Sequence, residues 1–424
     1  MAVPGCLIGF VPNESPILED KEKTMSKDIE NNNIISELEE SEPEDYTGTE
    51  TDIVEKYDAG QARIVVQRND FLVPNILQMV QNREILNLAP SYQRRKRWDE
   101  TKRSHLIESL LMNIPIPPVF LYEQDLARYE VMDGQQRLNA IRGFFDNEFA
   151  LRGLVKWPEL NGRTYAQLPS RIQAGLNRRG LAAVIILTES GESPQSALEI
   201  RQYVFERLNT GGEKLNAQEV RNCIYASPFN DMLIAIARTP EFTSAWSIPP
   251  KEPDEPHKVS ESLMKNRLYS TMADCEIVLR FFTLREFSRF KGGMKKALSD
   301  CMISMKSLSK NECDSFAKEY TDVLKCSISV FGGTLFRLPN RRGQLSGRHS
   351  VPLSDAVLLS VDRLSLSKRK KLIASSQKAV SHMRKRLEDE TDYKTLVGRA
   401  NTRASILERI DLVSKMFDNI LQGA

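Results

Sequence analysis

The sequence predicts an α+β chain, a mixed α/β domain over residues 57–195 followed by an all-helical domain over 196–424. Three observations predict it. Short β-prone runs, VFLYE at Val119–Glu123, YEVM at Tyr129–Met132 and LAAVIIL at Leu181–Leu187, alternate with helical patterns up to Leu187. From Ser196 onward the apolar residues recur at the helical period. The charge also divides: residues 1–56 carry 15 acidic and 4 basic side chains, leaving 55 basic against 42 acidic in the remainder.

Residues 1–56 contain the run Glu37–Asp45 (ELEESEPED) and too little apolar surface to offset the entropy of ordering, so they read as a disordered acidic leader. Such a tail can shield a polyanion site or be an inert solvated extension. Met25, followed by SKDIE, is a second plausible start, which leaves open whether residues 1–24 are translated. In the body, Val73–Asn87 places Ile76, Leu77, Val80 and Ile85 near one helical face. Asp99 is placed to cap a second helix whose stripe is Leu106, Ile107, Leu110 and Leu111. That helix must end at Asn113, because the prolines of Ile114–Pro118 lack the donor that a helix needs. Val119–Glu123 and Tyr129–Met132 then form a hairpin around the polar turn Gln124–Arg128, and Leu181–Leu187 reads as a strand buried on both faces.

The second half is expected to hold helices at Ala197–Leu208, Asn216–Ala226, Tyr269–Phe290, Met294–Leu308, Glu312–Phe331, Leu353–Leu364, Lys368–Glu388 and Thr402–Leu421. Asn216 and Glu219 have capping-box spacing, and Pro249–Ser260 reads as an exposed loop. No fixed-period repeat suggests a solenoid. No window reaches the roughly 18 uncharged apolar residues of a membrane span, and no basic n-region precedes a cleavable core at Met1, so the expectation is a cytoplasmic protein without membrane contact. The six cysteines lack C-x-x-C spacing and read as buried free thiols.

Chemistry concentrates in three segments. In Tyr129–Ala140 (YEVMDGQQRLNA) a strand runs through a glycine turn into a helix, a junction that presents backbone donors to anions. Asp133 there either caps the helix or holds Mg²⁺ and orients a water; Gln135 and Gln136 supply amides, and Arg137 a cationic fork suited to phosphate. Tyr92–Trp98 (YQRRKRW) packs four cations between two aromatics, suited to phosphate contact and base stacking or simply to a solvated loop. Phe205–Gly212 (FERLNTGG) ends a helix with Arg207 and Asn209 before paired glycines, either a presented polar pair or an ordinary C-cap.

In order and spacing, YQRRKRW, IPIPPVFL, DGQQRLNAI and FERLNTGGEKLNAQEVRN resemble the GmrSD restriction endonuclease N-terminal domain family of the ParB and sulfiredoxin-like superfamily, over about Tyr57–Ala226. The resemblance implies a ParB-like domain that binds and hydrolyses a nucleoside triphosphate in anti-phage defence, with Asp133, Gly134, Gln135, Gln136 and Arg137 at its centre. Gln93 and Arg94 match the family's Q-R pair, and Arg207 and Asn209 its F-x-R-x-N element, to which phosphate and nucleotide contacts are assigned on chemical grounds. No Walker A sequence is present, in agreement with the family. The chain departs from restriction enzymes of this kind in one respect. An HNH-type nuclease needs a histidine base and further His or Asn ligands, whereas this chain has His105, His257, His349 and His382, and His349-Ser350-Val351-Pro352 leads into an apolar helix. The expected partners are therefore DNA and a separate nuclease or other defence-system subunit. Three activities stay open: a Mg²⁺-dependent NTPase, a nuclease using a metal at Asp133, and a nucleotide-sensing DNA-binding regulator. The basic runs Lys368–Lys371 and Met383–Arg386 are candidate phosphate contacts or solvated helix faces.

Overall fold

The computed structural model describes residues 64–88, 98–187, 215–253, 259–286, 293–340, 342–398 and 401–423, together with Glu255, Phe290 and parts of 51–57 and 200–208. Residues 1–50 of the acidic leader, Cys6 among them, lie outside the described residues, whereas at its end Thr51, Ile53, Val54 and Glu55 are helical and exposed, against the expectation of disorder there; the other five cysteines are buried and form no disulfide.

The mixed domain is built on a five-stranded sheet of β1 (Val66–Leu72), β2 (Leu86–Asn87), β3 (Val119–Asp125), β4 (Arg128–Asp133) and β5 (Gly180–Ile186), in the order β1-β5-β3-β4-β2. β5 pairs antiparallel with β1 and parallel with β3, β3 antiparallel with β4, and β4 parallel with β2. Among the described residues four α-helices accompany it: α1 (Val73–Gln81), α2 (Glu100–Leu111), α3 (Gln135–Phe145) and α4 (Ser170–Asn177). The expected hairpin is present, turning at Leu126-Ala127, where Ala127 takes φ 57. Asp99 caps α2, its carboxylate accepting from the Lys102 amide at 2.7 Å. The far end of α2 is closed by Arg179, which donates to the carbonyls of Leu110 at 2.7 Å and Leu111 at 2.9 Å.

Three expectations change in this domain. The helix expected over Val73–Asn87 ends at Gln81, and Leu86–Asn87 turns back into the sheet beside Tyr129 and Glu130. Ile85 is consequently exposed, while Ile76, Leu77 and Val80 are buried as expected. β5 is an interior strand but alternates at its start, with Gly180 and Ala182 exposed, because only one sheet face is covered there. β1 had no apolar run to announce it; VQRNDFL is an edge strand with mostly exposed side chains, and edge strands need only one apolar face.

The helical region comprises α5 (Ala217–Ile224), α6 (Pro228–Ile236), α7 (Pro240–Ala245), α8 (Glu261–Lys265), α9 (Arg267–Ser270), α10 (Ala273–Arg285), α11 (Met294–Ser304), α12 (Lys310–Phe331), α13 (Val351–Asp362), α14 (Leu366–Ala374), α15 (Ser376–Glu388), α16 (Glu390–Val397) and α17 (Arg403–Gln422). α10 and α13 are buried nearly all round, as their apolar sequences require. They are joined by the buried Arg280–Asp355 ion pair. The helix expected over Tyr269–Phe290 is interrupted at Met272, whose left-handed φ of 57 lets its fully buried side chain enter the core. The helix expected over Lys368–Glu388 breaks at Ser375, where two consecutive serines compete with helical hydrogen bonding. Pro249–Ser260 is more anchored than an open loop: Glu255 forms a two-pronged pair with Arg238 at 2.8 and 3.0 Å, both side chains being buried. No helix among the described residues is long and apolar enough to cross a membrane.

The two regions share a boundary made of sheet. One face of the sheet closes over the core of the mixed domain, while Tyr122, Met132 and Ile186 from β3, β4 and β5 belong to the core of the helical region.

Candidate functional site

The β4–α3 junction holds the sequence-predicted residues Asp133–Arg137. β4 ends at Asp133, Gly134 turns the chain with φ 97, and α3 begins at Gln135. Only glycine suits this turn: a Cβ on Gly134 would lie 2.6 Å from Val119 Cγ1 in a backbone conformation that L side chains disfavour. Asp133 does not cap α3, whose N-terminus has no side-chain acceptor. Its carboxylate instead receives Arg137 Nη2 at 2.5 Å, and the same nitrogen donates to the Pro118 carbonyl at 3.2 Å. Asp133 is about half exposed and Arg137 mostly buried, so the guanidinium lies beneath and the carboxylate faces outward. Arg137 Nε is buried without a hydrogen-bond partner.

The adjacent amides hold the chain on either side of the basic segment. Gln135 Nε2 donates to the Leu88 carbonyl at 2.7 Å, and Gln136 Oε1 accepts from the Trp98 amide at 3.4 Å. Leu88 and Trp98 flank residues 89–97, so the chain on either side of that segment is held at the DGQQR turn. Gln93 and Arg94 themselves lie outside the described residues. Trp98 is half-buried with Lys102 Nζ 5.2 Å from its ring centroid, which makes it a packed wall rather than a free stacking surface. Arg207 is exposed, its guanidinium 5.1 Å from the Tyr203 ring centroid; Asn209 lies outside the described residues. Among the described residues no group of three His, Cys, Asp or Glu side chains is placed to hold a metal ion. Asp133 alone can contribute one carboxylate to a Mg²⁺ whose other ligands are phosphate oxygens and water.

The model of the GmrSD restriction endonuclease, N-terminal domain, matches residues 75–226. This segment belongs to that family. The match supports a restriction-type defence module and leaves the helices beyond α5 outside it. No curated protein and no solved structure compared with the chain matched it.

Within the GmrSD N-terminal domain, sequence reasoning missed the residues behind the turn. Glu130, three residues before Asp133 on β4, is buried and ion-paired with Arg201, which also donates to the carbonyls of Cys223 and Ile224 at 3.2 Å each. Burial raises the Glu130 carboxyl above its ordinary range, with Arg201 and the Gln124 amide opposing. The pair links β4 to α5. A charged residue inside the strand-like run YEVM was the available signal, since a buried charge needs a partner. His349, the start of the H-x-x-P sequence, is 2% exposed with its ring 5.5 Å from that of Trp246, the packing of a core histidine.

Proposed function

We propose that this chain is the nucleotide-binding and nucleotide-hydrolysing module of a restriction-type defence system, acting on DNA. The observation that carries the reading is the DGQQR turn, where a half-exposed carboxylate, an uncapped helix N-terminus and the tethered ends of a four-cation segment meet. The turn offers what phosphoryl transfer asks of a protein, which is positioning and charge stabilisation more than covalent chemistry. The N-terminus of α3 and the Tyr92–Trp98 cations attract the phosphates. Asp133 supplies one ligand to the magnesium ion that arrives with the nucleotide or orients the attacking water. Gln135 and Gln136 act as positioning residues through Leu88 and Trp98. Arg137 fixes Asp133 and adds positive charge beneath it. Gln93, Arg94, Arg207 and Asn209 complete the phosphate and nucleotide contacts in this reading.

The test is phosphate release from ATP, GTP, CTP and UTP with Mg²⁺, with and without plasmid, for wild type and Asp133→Ala. Release that the substitution eliminates supports the proposal. Release at the wild-type rate in Asp133→Ala refutes the assignment of the centre. Nicked plasmid without phosphate release favours a nuclease acting through the same turn, and neither product favours a binding regulator.

A further inference from the structure

We infer that the outward face of α14 and α15 is a docking surface for the phosphate backbone of duplex DNA. The inference rests on the reading of the chain as a DNA-acting module and names where that contact is made, outside the matched domain. From Arg363 to Arg386 the sequence holds nine Lys and Arg side chains in 24 residues and no Asp or Glu. Carboxylates outside the run offset only part of this charge, Asp362 lying 3.7 Å from Arg369. Arg369 closes the C-terminus of α13 through the Val361 and Asp362 carbonyls, Arg386 pairs with Asp392 at 2.8 Å, and Lys368 approaches Asp418 at 3.7 Å. Lys370, Lys371, Lys378, Arg384 and Lys385 are exposed and have no carboxylate partner among the described residues.

Within each helix they lie away from the buried residues. Ala379, Met383 and Leu387 form the buried stripe of α15. At 3.6 residues per turn, Lys378 and Lys385 stand opposite that stripe, about 10 Å apart along the axis, with Ser381 between them. In α14, Leu372 points inward and Lys370 outward. Lysine, arginine and serine are phosphate-contacting side chains, and this surface has no Phe, Tyr or Trp on which an unpaired base could stack. The composition therefore favours a duplex read through its backbone.

The experiment measures anisotropy of a labelled 20-base-pair duplex against salt for wild type and for Lys370→Gln/Lys378→Gln/Arg384→Gln/Lys385→Gln, with Lys310→Gln/Lys318→Gln as control. The expected result is at least a roughly tenfold weaker affinity in the quadruple variant and a log–log salt slope shallower by about 3.6, near 0.9 for each of the four lost phosphate contacts. The control should bind as wild type, and circular dichroism should show unchanged melting in both. Unchanged affinity of the quadruple variant overturns the inference, as does preferential binding of single-stranded DNA or RNA. Phosphate release without DNA should be unchanged; its absence in wild type would refute the NTPase reading alone, leaving the binding result to judge this surface.

Discussion

Gly134→Ala tests the geometry of the turn most directly. The added Cβ meets two costs. The left-handed backbone at φ 97 disfavours an L side chain by about 1–2 kcal/mol. The methyl also lies 2.6 Å from Val119 Cγ1 and 3.1 Å from Arg137 Nη2, and overpacking of a fully buried neighbour costs about 1–3 kcal/mol. The expected loss is thus about 2–5 kcal/mol, read by denaturant unfolding, and the displaced Asp133–Arg137 pair should lower phosphate release by about a hundredfold even where the protein remains folded. Adding Val119→Ala removes the 2.6 Å clash with Cγ1, the largest part of the steric cost, and not the dihedral one. A double-mutant cycle should therefore show a favourable coupling of about 1–3 kcal/mol, with the backbone penalty persisting. A stability within about 0.5 kcal/mol of wild type, or zero coupling with Val119→Ala, would refute the reasoning.

Asp133→Asn should abolish phosphate release while changing unfolding free energy by at most about 1 kcal/mol, because the carboxylate makes a half-exposed ion pair and no helix cap. Gln135→Ala with Gln136→Ala should weaken nucleotide binding roughly tenfold by calorimetry at an unfolding cost of about 1–3 kcal/mol, since about 1 kcal/mol is lost for each tether to Leu88 and Trp98. His349→Ala should cost about 2–4 kcal/mol in denaturant unfolding, as truncation of a buried ring does, and leave phosphate release and plasmid integrity as in wild type.

What the sequence made legible was whatever local chemistry decides. Asp99 before α2, Asn216 with Glu219 before α5, and the Pro-rich stop at Ile114–Pro118 each act within a few residues, and each element formed where it was expected. The glycine turn of DGQQR was legible for the same reason. What stayed hidden depends on partners distant in sequence. β2 is two residues long and exists because β4 lies beside it, so Ile85 was assigned to a helix. Met272 takes a left-handed conformation that its own side chain disfavours, and only a finished core makes it worthwhile. The tethering of Leu88 and Trp98 by Gln135 and Gln136 spans 47 and 38 residues and has no local signature.

The Glu130–Arg201 pair ties the strand that leads into the DGQQR turn to the helical half of the chain. β4 supplies Glu130 to the helical side and, three residues later, Asp133 to the site; Arg201 binds Glu130 and the last carbonyls of α5 together. The position of Asp133 is thereby coupled to the helices. The sign of the pH dependence follows from burial. The folded-state pKa of Glu130 is raised above its ordinary 4.5, so the folded chain holds this proton more tightly than the unfolded one. Its contribution to stability is present below about pH 4.5, falls as pH rises through the raised folded value, and is constant above it. Glu130→Gln should remove that fall. Arg201→Met, which strands a buried carboxylate beside Gln124, should cost about 3–5 kcal/mol near neutral pH and less in acid, where protonation relieves it. Denaturant unfolding of both variants from pH 4 to 8 reads this directly; the same pH profile in wild type and Glu130→Gln would show that Glu130 does not titrate within the fold and that the coupling argued from its burial is wrong.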